Sequence, residues 1–239
     1  MNLDETRLSS DPPEAPSPSF SVVLPVYNEE DGIEGVIQEA LAALARTTWK
    51  HELIVINDGS SDRTGNILTR LRQAAGGRLR VITLARNTGQ SAALAVGFRA
   101  ARHDVIVTMD GDGQNDPADI ARLVAELNDC DCCCGYRAQR RDTWSKRLGS
   151  RIANRFRNAV LHETVIDTGC GIKAFRAWLA QGLTVWNGMH RFLPALFAMR
   201  GARIRQIPVN HRPRAAGTSK YTNFGRLKKT IWDLYGVRW

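Results

Sequence analysis

The sequence predicts an α/β fold: a mostly parallel sheet flanked by helices. Three observations carry this. Short apolar runs alternate with helical patterns of about 10–15 residues, which is how strands joined by crossover helices read. The runs are almost continuously apolar, as strands covered on both faces are. Each of the first four runs also ends in a polar cluster. A chain of 239 residues can bury such a core without disulfides.

Ser21–Pro25 is the first strand, and a helix follows from about Asp31 to Ala45. Glu52–Ile56 is the second strand, with a helix from Asp62 to about Ala75. Arg80–Leu84 is the third strand, and Ser91–Arg102 its helix. Val105–Met109 is the fourth strand. Asp116 and Pro117 then open a helix, Asp as the cap and Pro at the first helical position. Four of the five Cys lie in Cys130–Cys134. Adjacent residues of a strand face opposite ways, and the spacing lacks the paired Cys-x2–4-Cys of zinc sites. A buried strand is therefore expected.

Beyond Tyr136 the pattern changes. Trp144, Leu148, Ile152, Phe156 and Val160 form one helical stripe among Lys146, Arg147, Arg151, Arg155 and Arg157. A strand from Arg203 to Val209 leads into the loop His211–Tyr221, and an amphipathic helix closes the chain from about Phe224. Residues 1–19, with four prolines among Ser and acidic residues, read as a disordered tail. The expected organisation is thus a tail at 1–19, one domain at 20–222 and a C-terminal amphipathic helix at 223–239. No apolar run reaches the roughly 18 residues of a membrane span, and Met1–Ser19 does not read as a signal peptide. A cytoplasmic protein with reduced thiols is expected.

Charge is unevenly placed. Residues 1–136 carry 12 Lys and Arg against 20 Asp and Glu, a net −8, whereas residues 137–239 carry 21 against 4, a net +17. Five of the six Trp lie in the basic part. That part should meet something anionic: a nucleic acid, a phosphate-bearing substrate or a membrane surface.

Ligands of open parallel sheets bind beyond the carboxyl ends of the strands. The four strand exits deliver Tyr27-Asn28-Glu29, Asn57 to Asp62, Arg86-Asn87 and Asp110-Gly111-Asp112-Gly113-Gln114 to that edge. If the last segment stays extended, Asp110, Asp112 and Gln114 share one side. Three oxygen donors suit Mg2+ or Mn2+ shared with substrate phosphates. A tight Asp-Gly turn capping the next helix is the other reading of the same residues. No Gly-x-Gly-x-x-Gly follows the first strand and no Gly-Lys-Ser/Thr loop is present, so dinucleotide and P-loop nucleotide sites are not supported.

Together these segments resemble family 2 glycosyltransferases of the Rossmann-like GT-A fold. Gly135-Tyr136-Arg137, Asp167 to Lys173 and Arg212-Pro213-Arg214 with Gly217, Ser219, Lys220 and Tyr221 resemble more narrowly the branch acting on polyprenyl phosphates. The resemblance implies transfer of a sugar, with inversion, from a UDP- or GDP-linked donor to an undecaprenyl or dolichyl phosphate. It implies donor contacts from Pro25, Tyr27, Glu29, Asp58 and Arg86, and Mg2+ or Mn2+ on Asp110, Asp112 and Gln114. Arg137, Arg147, Arg151, Lys173, Arg212 and Arg214 would offset acceptor-phosphate charge. Arg137 and Lys220 join Asp110 and Asp112 in the catalytic set. A phosphate acceptor is already ionised, so a general base is not required; Asp112 is the candidate if one acts. Cys170 is expected to pack rather than attack.

The helical segments Trp144–Leu161 and Phe224–Trp239 read either as interfacial helices or as core-packed ones. A peripheral enzyme on the cytoplasmic face, beside an anionic membrane surface and in some cases a separate membrane subunit, is the expected setting. Two other readings stay open: a same-fold enzyme extending a polysaccharide on a sugar hydroxyl, and a non-catalytic nucleotide-sugar or nucleic-acid binder. The nucleic-acid reading rests only on the basic pI and leaves the Asp-x-Asp segment unexplained, and the intact series of motifs argues against a non-catalytic nucleotide-sugar binder.

Overall fold

The computed structural model describes residues 18–138 and 165–213. Seven strands form one sheet: β1 Phe20–Val26, β2 His51–Asn57, β3 Leu79–Thr83, β4 Val105–Thr108, β5 Cys132–Arg137, β6 Lys173–Arg176 and β7 Ile204–Val209. Five α-helices are described: α1 Ile33–Leu44, α2 Thr64–Ala74, α3 Gln90–Ala100, α4 Asp119–Ala125 and α5 Leu193–Met199. The spatial order is β3-β2-β1-β4-β6-β5-β7. Strands β1 to β4 pair in parallel, β6 runs antiparallel to both neighbours, and β5 pairs β7 in parallel.

Strand alternation sorts the core onto two faces. Val22, Leu24, Leu53, Val55 and Cys133 lie with the buried residues of α1, α2 and α4. Val23, Ile54, Ile56, Cys132 and Cys134 lie with those of α3 and α5. The expected cysteine strand is therefore present, with all five thiols free and buried. Phe175 of β6 meets Phe98 of α3 and Phe197 of α5 at ring distances of 5.4 and 4.8 Å, fixing the reversed strand beneath these two helices.

Three expectations need correction. The sequence reading contained neither β6 nor α5. Helix α4 starts at Asp119, with Ala118 as its cap residue; Asp116 instead accepts the Ala118 N–H at 3.0 Å in the preceding turn. The exit of β4 is a turn and not an extended strand. The N-terminal tail, the Trp144–Leu161 helix and the 223–239 helix lie wholly or almost wholly outside the described residues. Among the described residues, no helix is long and apolar enough to cross a membrane.

Candidate active site

The topology brings the candidate residues to one edge. It holds the carboxyl ends of β1 to β5 and β7, and, because β6 is reversed, the start of β6. Strand order reverses between β1 and β4, where ligands of such sheets bind. Pro25 has no N–H to give, and it lies beyond the last β1–β4 pair, Val23 with Thr108. A proline is tolerated where no ladder bond is asked of it.

The exits of β1 and β2 are stitched together. Ser61 N–H donates to Asn28 Oδ1 at 2.8 Å, and Asn28 N–H to Ser60 Oγ at 3.0 Å. Glu29 N–H donates to Thr64 Oγ1 at 2.9 Å. Asn28 holds a φ of 52°, a left-handed conformation that Asn tolerates better than most residues. Tyr27 is left exposed beside this frame. Burial works against ionised Asp62, but hydrogen bonds from Thr64 and from Glu30 N–H outweigh it and hold the carboxyl below its usual range.

Asp58 departs from its expected role. It is 3% exposed, and both its oxygens are occupied by the β3–α3 loop. Thr88 donates its N–H and hydroxyl at 2.8 and 2.7 Å, Gly89 its N–H at 2.8 Å and Asn87 its amide at 3.0 Å. Asp58 thus shapes the loop that presents exposed Arg86, instead of offering its own oxygens to a donor. Gly59 permits this contact: its φ is +65°, and a Cβ would lie 2.3 Å from the Arg86 carbonyl carbon. Any side chain would separate the two loops.

At the β4 exit, Asp110 N–H donates to Asn115 Oδ1 at 2.9 Å, and Gln114 N–H to Asp112 Oδ1 at 3.1 Å. The chain turns, so strand alternation does not govern where these side chains face. The Gln114 amide instead reaches toward the Arg212 carbonyl at 3.5 Å. Asp110 and Asp112 remain close enough to interact. Burial first, and then the Asp112 charge, push the Asp110 carboxyl up to about 6, against the pull of Lys173 and Arg137. Gln90 Nε2 donates to Asp110 Oδ1 at 3.0 Å. Gly171 lies directly under the carboxylate: a Cβ there would be 2.0 Å from Oδ2. Thr108 Oγ1 fixes the Gly171 carbonyl at 2.7 Å.

On the basic side, Arg137 grips Asp167 with Nε–Oδ2 at 2.6 Å and Nη2–Oδ1 at 2.8 Å, a two-pronged pair. Lys173 is 3% exposed and donates to the Cys170 carbonyl. Its expected place on the acceptor phosphate is therefore not what this geometry offers; burial turns its charge toward Asp110. Arg212 bridges Glu39 of α1 at 2.5 Å and Asp116 at 3.0 Å, so acids already offset its charge. Burial pushes the Cys170 thiol above its ordinary value, consistent with packing rather than attack. Arg147, Arg151, Arg214 and Lys220 lie outside the described residues.

Residues 21–182 match the family model described as glycosyl transferase family 2. The chain belongs to glycosyl transferase family 2. Within that family it is 35% identical to dodecaprenyl-phosphate galacturonate synthase of Rhizobium johnstonii, over 98% of this chain and 70% of that protein. It is 34% identical to undecaprenyl-phosphate 4-deoxy-4-formamido-L-arabinose transferase of Edwardsiella ictaluri, over 90% of this chain and 66% of that protein. The chain thus spans about two thirds of the length of these relatives. The fold matches glucosyl-3-phosphoglycerate synthase of Mycobacterium tuberculosis, solved with Mn2+, UDP and glucosyl-3-phosphoglycerate. The TM-score is 0.69 at 22% identity, covering 92% of this chain and 78% of that one. The same enzyme solved with Mg2+ and UDP gives 0.68 at 21%. The GT-A-like architecture and glycosyltransferase activity expected from the sequence are those of this family.

Gln90, Asn115, Thr88 and Gly171 were not singled out as individual site residues. The strand-exit cluster ends at Asn87, three residues before Gln90, the first residue of α3. Gly171 was visible only as part of a motif, because nothing in the sequence shows that β6 runs backward into the same edge.

Proposed function

We propose that this glycosyltransferase moves a sugar from a nucleoside-diphosphate sugar, UDP- or GDP-linked, to a polyprenyl phosphate at the cytoplasmic membrane surface. The observation that carries the reading is similarity along nearly the whole chain to two transferases named for polyprenyl-phosphate sugars. Pro25, Tyr27, Glu29 and Arg86 face the donor, with Asp58 acting through the Arg86–Gly89 loop.

Two mutually repelling carboxylates, one lifted to about 6, are a donor set that a divalent cation relieves. Diphosphate oxygens of the donor would complete the coordination of such an ion. Asp110 and Asp112 would hold Mg2+ or Mn2+, with Gln114 from the same turn. The ion supplies charge compensation for the departing nucleoside diphosphate. Arg137, oriented by Asp167, reduces repulsion between acceptor and donor phosphates. Arg147, Arg151, Arg214 and Lys220 extend that cationic side, Arg212 stays tied to Glu39 and Asp116, and Lys173 supports Asp110 from below. Peripheral attachment through the basic C-terminal region, alone or beside a membrane subunit, brings the edge to the lipid phosphate.

The test offers purified enzyme, Mn2+ and a panel of nucleotide-sugars two acceptors: a short-chain polyprenyl phosphate and a sugar primer. Labelled sugar should enter the lipid and not the primer. Transfer to the primer alone would establish the polysaccharide-building reaction instead.

A further inference from the structure

The strongest unassigned contact network joins the start of α3 to the turn ahead of α5. Ser91 is 2% exposed and sits in the first turn of α3, yet its side chain does not cap that helix; Gly89 occupies the cap position and no side-chain cap is present. Its oxygen is directed to another part of the chain. Gly188 N–H donates to Ser91 Oγ at 3.1 Å and His190 N–H at 3.4 Å, while Oγ lies 2.9 Å from His190 Nδ1. Two N–H donors occupy the oxygen's lone pairs, so the hydroxyl hydrogen goes to Nδ1 and the ring proton to Nε2. One buried hydroxyl thus makes three contacts with Gly188–His190, a segment 97 to 99 residues away in the chain.

The neighbour of Ser91 is Gln90, and Gln90 Nε2 donates to Asp110 Oδ1 at 3.0 Å. Gln90 is itself exposed, so its own packing does not hold it on the carboxylate; the backbone beside it does. We propose that Gln90 is a positioning residue for Asp110, and that the three contacts on Ser91 lock the α3 turn that carries it. This rests on Asp110 being a metal carboxylate. Partners that orient a metal ligand typically change metal affinity or activity 10- to 100-fold when removed.

The test is titration of Mn2+ in the presence of UDP, followed by electron paramagnetic resonance, together with kcat and KM, on full-length Gln90→Met, Ser91→Ala and Asp110→Asn. Gln90→Met keeps the length of an exposed side chain and should melt with the parent. It should bind Mn2+ at least about 10-fold more weakly and lose kcat, with the acceptor KM unchanged. Ser91→Ala should move Mn2+ affinity in the same direction at temperatures where it is fully folded, a change that loss of packing alone would not cause. Parental Mn2+ affinity and kcat in either variant overturns the inference. Weakened Mn2+ binding in Asp110→Asn beside parental Gln90→Met would discard this inference and leave the proposed function standing. Parental Mn2+ affinity in Asp110→Asn would discard both.

Discussion

At the scale of single residues, Asp110 carries the clearest conflict between folding and chemistry. Its carboxyl titrates near 6 in the folded chain, against about 3.9 when unfolded. Between these values the folded state holds a proton that the unfolded chain has released, so Asp110 costs stability progressively as pH rises through that window. Asp110→Asn should therefore stabilise the fold at pH 8, by on the order of 1–2 kcal/mol, while abolishing transfer. A variant less stable than the parent at that pH would contradict the environment described. A cation needs the ionised form, so the stabilisation by Mn2+ and UDP in thermal-shift measurements should shrink from pH 7.5 to pH 5; equal shifts would argue against Asp110 as a ligand. Asp112→Asn should likewise lose transfer while keeping its fold by circular dichroism. Asp58→Ala removes the buried acceptor of four hydrogen bonds and should cost about 1–3 kcal/mol, with faster hydrogen exchange at Thr88 and Gly89. Unchanged exchange there would show that the loop does not depend on Asp58.

At the scale of elements, the four parallel strands and three crossover helices were legible because apolar runs and helical spacing are local patterns. The strand-exit rule then located Asp110, Asp112, Arg86 and Tyr27 correctly at one edge. What was illegible is tertiary. Lys173–Arg176 is only four residues long, too short to show a period, and its reversal depends on pairing with both β4 and β5. The turn at Asp110–Gln114 was one of two readings of the same residues, and Asn115 and Asp112 decide it by accepting backbone N–H groups. Nor could spacing reveal that Asp58 would be filled by Thr88 and Gly89, since those partners lie 30 and 31 residues away. The Asp167–Arg137 pair joins the loop ahead of β6 to the end of β5, with side chains 6% and 17% exposed. Removing one partner of so buried a pair should cost roughly 3 kcal/mol. Asp167→Ala should therefore melt several degrees lower and show a raised acceptor KM; a parental melting temperature would show that the pair does not brace this corner.

At the scale of the whole molecule, the charge division places a net +17 in residues 137–239. Close to an anionic bilayer each basic residue contributes about 1 kcal/mol of attraction. Co-sedimentation should show binding to anionic vesicles that weakens as salt rises, and little binding to neutral ones; equal, salt-insensitive binding to both would exclude this electrostatic mechanism. In the proposed reaction the acids of the front part would hold the cation and the basic residues of the back part would offset the acceptor phosphate, as joining two anionic substrates requires. The most direct test is mass spectrometry of the organic phase after incubating the enzyme with a nucleotide-sugar, Mn2+ and a polyprenyl phosphate. The expected product is the lipid monophosphate plus one sugar, lost in Asp112→Asn and in EDTA. A product carrying two phosphates, or undiminished product in EDTA, would contradict metal-dependent sugar transfer to the lipid phosphate.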